Sequence, residues 1–343
     1  MRRRLLSGAS ALLAASILAS CGSAEPPQPA PDEVPETAPP ALDSARLSTI
    51  LEEIGESLDA ADAELDPELL GDRVIGPARE TRTREYRLVE ASDGEVEPTA
   101  IDTTASLAAT GISEDWPRNA MVITEIPEEE NLPLLLTLTQ DDVHSPYALW
   151  GFTTLFPGVE YPAMARPEVG SPSVAADAGD LVATPEEVLE RYAHVVADPD
   201  SEFASDFADD PYLELAVRDQ VEDLQEAAGE SATVGTLARK LNVDPRSVET
   251  ADGGAIVVGQ FRWVLSVDRT DEPGDLELSG IFDYLADDTS VTFQMQAVFD
   301  TTMAFHVPAA DAEDSAIVPL GASDVLVEVR RDDGEDADDA AQG

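Results

Sequence analysis

One cysteine, Cys21, stands in a chain of 343 residues. With no second cysteine, no intrachain disulfide can form. Whatever folds must be held by packed apolar surface instead, and 43% hydrophobic residues are enough for that. By length, the chain has room for two domains. Asp and Glu number 71 against 20 Lys and Arg, a net charge of −51. That excess argues against nucleic acid as a partner, which needs clustered basic charge. It also argues against broad adhesion to anionic lipid.

The residues around Cys21 predict where the protein works. Arg2-Arg3-Arg4 precede an apolar run from Leu5 to Ile17. That run is too short for a bilayer core of ~30 Å, which takes ~20 residues. Residues 1–20 therefore read as an export signal. Leu18-Ala19-Ser20-Cys21 resembles the bacterial lipobox, in which small residues admit the chain to a peptidase and the thiolate is alkylated. Cys21 is the expected lipidation site, and two acyl chains suffice for stable anchoring. The expected location is the extracytoplasmic face of the cell membrane, with the membrane reached through lipid on Cys21. Seven of the 20 residues in 22–41 are Pro, so 21–41 reads as a lipidated Cys and a stiff tether.

Beyond the tether, the pattern predicts an α+β protein of two domains, each with N-terminal helices packed on a curved, mainly antiparallel sheet. In the first, 42–156, Leu47, Ile50, Leu51, Ile54 and Leu58 recur at helical spacing behind Asp43 or Ser44 as cap. A turn at Asp66-Pro67 and a charged stretch from Gly76-Pro77 to Leu88, helix or strand, follow. Strand-like runs then occupy Met121–Ile126, Leu132–Thr139 and Tyr147–Phe156. Residues 157–183, punctuated by four prolines, read as an interdomain connection. The second domain, 184–330, opens on Thr184-Pro185-Glu186-Glu187, a capping box with Pro at the first turn. Helices are expected at 211–228 and 233–241. Strands are expected around 261–268 and at 276–284, 290–300, 303–307 and 325–329. Residues 331–343 read as an acidic tail. Both halves run helix, Asp-rich turn, Arg-containing segment, strands, an order that a duplication would also produce.

The element order of the second half is similar to the nuclear-transport-factor-2-like fold, whose helices pack into a curved sheet and leave a conical pocket. As a whole the chain resembles an uncharacterised family of actinobacterial envelope lipoproteins. The resemblance rests on the lipobox, Gly76-Pro77-Ala78 with Arg82 and Tyr86, the Trp116-Pro117-Arg118 turn, and Thr250-Ala251-Asp252-Gly253-Gly254-Ala255. That family brings no catalytic residues to carry over.

Chemistry is sparse. His144, His194 and His306 have no ligand spacing among them, so a zinc site is not expected. There is no GxSxG, SxxK, phosphate loop or GxGxxG. Lys240, the lone lysine, reads as a surface residue of a helix. Asp198, Asp200, Asp206, Asp209 and Asp210, like Asp268, Asp271 and Asp275, cluster without a full calcium-loop pattern. Arg73, Arg79, Arg82, Arg84 and Arg87 fall within 15 residues and read as internal partners for carboxylates. Trp116, Trp150, Trp263, Tyr147, Phe261, Phe282, Tyr284, Phe293 and Phe299 read first as core; on a curved sheet, some would line a pocket. The expectation is a non-catalytic lipoprotein, with no cofactor and no metal, that binds an envelope protein or amphiphilic ligand. The rival is a pocket enzyme with a buried carboxylate beside His306 or Tyr284; a structural spacer is the third reading.

Overall fold

The computed structural model describes residues 40–112, 116–126, 131–166, 169–270, 276–277, 279–286 and 288–333. Cys21, the export signal, nearly all of the tether and most of the acidic tail lie outside them.

Local chemistry accounts for the helices. α1 (Ser44–Glu64) starts where Asp43 accepts a hydrogen bond from the Arg46 N–H, and it buries Leu47, Leu51, Ile54 and Leu58. Asp66 caps a 3-10 turn, Pro67–Leu70. α2 (Gly76–Ala91) begins with Gly76 at φ +54, a conformation suited to glycine, directly before Pro77. In the second half, α3 (Pro185–Ala197) carries the complete capping box, Thr184 and Glu187 satisfying each other's backbone N–H. A π-helical stretch, Tyr212–Arg218, runs into α4 (Asp219–Ala228).

The strands are β1 (Ala105–Thr110), β2 (Arg118–Thr124), β3 (Leu134–Gln140), β4 (Ala148–Leu155), β5 (Ala232–Lys240), β6 (Arg246–Glu249), β7 (Ala255–Arg269), β8 (Gln294–Val307) and β9 (Val318–Asp332). Among the described residues they form one antiparallel nine-stranded sheet in the order β1-β2-β3-β4-β9-β8-β7-β5, with β6 also on β7. The sheet runs through both expected domains, 42–156 and 184–330, and Ala38–Gly343 form one compact unit. The halves meet at β4–β9, which pair only at Thr154↔Ala322 and Leu155↔Gly321. Outside that junction α2 packs against both β4 and β9.

The stretch 157–183, expected as a connection, takes part in the sheet. Gly111 bridges to Ser171 and Ser173 bridges to Val248 of β6, so this segment links the β1 side of the sheet to its β6 side. Ser171 is fully buried. Apolar residues of β1–β4 and β6–β9, among them Met121, Leu135, Trp150, Ile256 and Leu320, consequently share one cluster. Two further clusters lie under the helices, one beneath α1 and α2 and one beneath α3 and the π-helical stretch.

Several element expectations need correction. The helix expected at 233–241 is instead strand β5: the nine residues Ala232–Lys240 pair with β7, and Ala232 and Val234 face the core while Leu237 is exposed. The expected strand at 276–284 ends in a 3-10 turn, Gly280–Tyr284, that buries Phe282. The runs 290–300 and 303–307 belong to one strand, because Thr301 and Thr302 pair in register with Gln260 and Phe261 rather than forming a turn. The expected tail at 331–343 starts too early, since β9 extends to Asp332.

Candidate functional site

Three of the five clustered arginines, Arg73, Arg82 and Arg84, pair with carboxylates as expected, while Arg79 bonds a backbone carbonyl and Arg87 is exposed. Arg73 pairs with Glu53, Arg79 donates to the Gly71 carbonyl at 2.8 Å, and Arg84 lies 3.5 Å from Asp300. Arg82 is 1% exposed and meets Glu85 at 2.9 Å, Asp62 at 3.2 Å and the Thr99 carbonyl at 2.9 Å. Asp300, equally buried, takes a two-pronged contact from Arg262 at 2.6 and 2.8 Å.

The histidines stay apart. His144 lies in the turn shaped by Asp142, and His194 of α3 meets the Phe203 ring at a tilt, centroids 5.6 Å apart. His306 Nε2 lies 3.5 Å from Asp252, in the turn between β6 and β7. That turn explains the Thr250–Ala255 motif: Asp252 accepts from the Thr250 hydroxyl and the Gly254 N–H, and Gly253 adopts φ +84. Tyr284 donates to Glu95 at the surface. Neither His306 nor Tyr284 joins a buried carboxylate in a common site. Lys240 lies on β5, not on a helix, and pairs with Glu186.

The acidic runs are put to structural use. Asp206 pairs with Arg191, and Asp268 accepts from Ser266 and Gln294. Among the described residues no group of three potential metal ligands gathers. Asp271 and Asp275 lie outside them. Asp210, 4% exposed, accepts from the Tyr192 hydroxyl at 3.0 Å and the Leu213 N–H at 2.8 Å. Burial raises its carboxyl pKa above the ordinary 3.8 despite these donors. The native state thus holds a proton that the unfolded chain releases, and stability falls as pH climbs from about 4 through the raised value. Asp210→Asn should flatten this fall in urea titrations carried upward from about pH 4. An unchanged pH slope would remove Asp210 from the account.

A groove of about 680 Å³ lies between α3, α4 and β5. That is within the usual range for small-molecule sites. Val195 and Val196 of α3, Val217 and Val221 of the π-helical stretch and α4, and Val234 of β5 supply its apolar walls. Two of its polar wall groups, Gln225 and Thr236, are already used. Gln225 donates to the carbonyls of Gly229 and Ala232 at 3.0 Å and accepts from the Val234 N–H at 2.9 Å. The Thr236 hydroxyl donates to the Val196 carbonyl at 2.9 Å. These bonds tie β5 to both helices and leave aliphatic surface facing the groove. Glu222, Glu226 and Arg218 add charge to the lining. Arg218 is engaged by Glu214 at 2.5 Å.

The expected aromatic pocket is elsewhere a packed core. Trp263 stacks on Phe299 at 4.4 Å, with Phe282 edge-on to Phe299. The groove walls are valines, and they escaped sequence reasoning because β5 was read as a helix. The available signal was the unusual helix α4, in which Ala228 is the one fully buried residue although Val221 and Leu224 share a face. No helix among the described residues is long and apolar enough to cross a membrane. No protein-family model, curated protein or solved structure matches the chain.

Proposed function

We propose that this is a non-catalytic binding protein, anchored through lipid on Cys21 at the extracytoplasmic face of the membrane, whose groove holds an apolar or amphiphilic molecule. The observation that carries the binding half is the valine-walled groove, whose Gln225 and Thr236 are already engaged by the backbone. Such a surface gains by excluding water. The anchoring half rests on the lipobox-like sequence alone. Glu222 and Glu226, in a chain of net charge −51, disfavour an anionic head group and favour an uncharged or cationic one.

The test uses the chain from residue 38, the compact unit. The neutral dye N-phenyl-1-naphthylamine should bind with saturable fluorescence, and the anionic dye anilinonaphthalene sulfonate should bind at least about tenfold more weakly, ~1.4 kcal/mol. Val221→Trp fills the groove and should abolish the neutral dye's binding while leaving the circular dichroism spectrum unchanged. Equal binding by the filled variant would show that the dye sits elsewhere and sink the proposal. Anchoring is tested separately: Cys21→Ala should move the full-length protein from the membrane fraction to the soluble one.

A further inference from the structure

We infer that the free edge of β5, together with the groove beside it, takes an extended peptide segment of a partner protein, one with aliphatic residues at alternate positions and a basic residue on the same face. This rests on the reading of the groove as a binding site and names the class of its occupant.

β5 ends the sheet and pairs with β7 on one side only. A strand in that place carries a row of backbone N–H and C=O groups turned away from its neighbour. The bonds just past its two ends show which residues supply the row. The Thr270 N–H donates to the Ser231 carbonyl, and the Leu241 N–H donates to the Gln260 carbonyl of β7, both at 3.1 Å. Odd-numbered residues of β5 therefore bond toward β7. Even-numbered ones point outward, because successive residues of a paired strand alternate in direction.

Gln225 of α4 shows the same direction and what the edge accepts. Its side-chain amide donates to the Ala232 carbonyl at 3.0 Å and accepts from the Val234 N–H at 2.9 Å. One side-chain amide thus takes the place of one peptide group of a neighbouring strand. The next outward groups are the Val234 carbonyl and the N–H and C=O of Thr236 and Ala238. Among the described residues none supplies a partner for them. Thr236 reaches α3 through its hydroxyl, and both it and Ala238 are half-buried. β6, further along the same flank of β7, differs in this respect. The segment 172–174 covers its edge, the Val174 N–H donating to the Ser247 carbonyl and the Glu249 N–H to the Pro172 carbonyl.

The groove supplies the other half of the fit. Val234 and Thr236, both outward residues of β5, line it together with the valines of the helices. A segment added to this edge continues the alternation of the sheet, so every second side chain enters the groove. Aliphatic side chains suit such walls. The intervening side chains lie on the opposite face, where Leu237 is 61% exposed. A compact apolar molecule fills the groove and leaves the backbone groups of the edge unused. An extended peptide engages both.

Charge sets the remaining preference. Glu222 and Glu226 line the groove, and Arg218 in the same lining is held by Glu214. A basic residue on the groove face of the segment complements these glutamates. An acidic segment is repelled by them and by the net charge of −51, which also disfavours a second copy of this chain as the occupant.

The experiment uses the full-length protein in neutral detergent, with empty micelles as the blank. The probe is a blocked, dye-labelled peptide, Lys-Thr-Val-Thr-Val-Thr-Lys, whose Lys and Val share one face when extended. Its counterpart carries Glu in place of both Lys. The cationic peptide should bind saturably by fluorescence anisotropy, and the anionic one should not. Ala238→Pro removes one outward N–H at an edge position, where proline is tolerated. It should weaken the cationic peptide at least about tenfold, while N-phenyl-1-naphthylamine binds as in the parent. Hydrogen exchange gives a second readout in protein labelled with ¹⁵N-alanine and ¹⁵N-leucine. The Ala238 amide, assigned by its loss in Ala238→Ser, should exchange quickly in the free protein and at least about tenfold more slowly with saturating peptide. The Leu237 amide, bonded toward β7 and assigned by its loss in Leu237→Val, should exchange slowly in both states. The proposal is overturned by the absence of saturable peptide binding, by equal binding of the two peptides, by undiminished binding to Ala238→Pro, or by an Ala238 amide already protected in the free protein. Dye binding without peptide binding sinks this inference and leaves the groove's small-molecule reading standing. Peptide binding that depends on position 238, without dye binding, does the reverse.

Discussion

Gly321→Val should split the unfolding of this protein into two transitions. Gly321 lies on β9 opposite Leu155, at the two-residue junction that joins the first four strands to the rest of the sheet. A Cβ at this position would lie 2.9 Å from the Leu155 Cα and closer still to the Thr154 carbonyl oxygen. Both are backbone atoms in a paired strand, so no rotamer change relieves the clash. Strands β4 and β9 must separate, and with them the coupling between the halves. Overpacking of this kind costs ~3 kcal/mol or more. For a chain of this size that lowers the first melting temperature by roughly 5–10 °C. Calorimetry of the parent should show one cooperative transition, as one compact unit requires. Gly179→Ala, where nothing lies within 4 Å of the added carbon, is the control. A Gly321→Val protein that melts like the control would mean the junction is not what couples the halves.

Arg82→Ala is expected to be the most damaging change in the first half. Arg82 is buried among Asp62 of α1, Glu85 of its own helix and the Thr99 carbonyl, so it ties α1, α2 and the following loop together. Glu85 also accepts from the Thr99 N–H and hydroxyl at 3.2 and 2.6 Å, and Tyr86 donates to Asp62 at 2.5 Å. Removing the guanidinium leaves two carboxylates close together without their cation, one of them nearly enclosed. Breaking such a pair costs about 3–5 kcal/mol, most of it the penalty of the stranded charge. Urea unfolding at neutral pH measures it. A destabilisation below ~1 kcal/mol would place the network with ordinary surface pairs.

Which parts of this molecule could be read in advance follows a physical division. α1 and α3 were legible because their caps, Asp43 and the Thr184–Glu187 box, are adjacent in sequence to the apolar stripe they start. Three of the first-half strands were legible from compact apolar runs between turn residues; β1, Ala105–Thr110, carries no such run and was missed. The internal pairing of the arginines followed from composition, although nothing in the spacing indicated Asp300 as the partner of Arg84, since 216 positions separate them. The valines of the groove gave no local sign. Val234 became a wall residue through the pairing of β5 with β7, and Gln225, nine positions earlier, holds its N–H.

The sequence by itself determined the absence of an intrachain disulfide, the acidic character, the capped starts of α1 and α3 and the mixed α+β composition. Each is a property of single residues or of neighbours within one turn, where short-range sterics and hydrogen bonds decide. Tertiary structure alone decided that Thr233–Lys240 is a strand, that 157–183 helps link the sheet's two sides, and that both halves share that sheet. These depend on pairings between residues far apart in the chain. Backbone groups there gain partners and lose water only once the distant strand is in place, and local propensity yields to that gain.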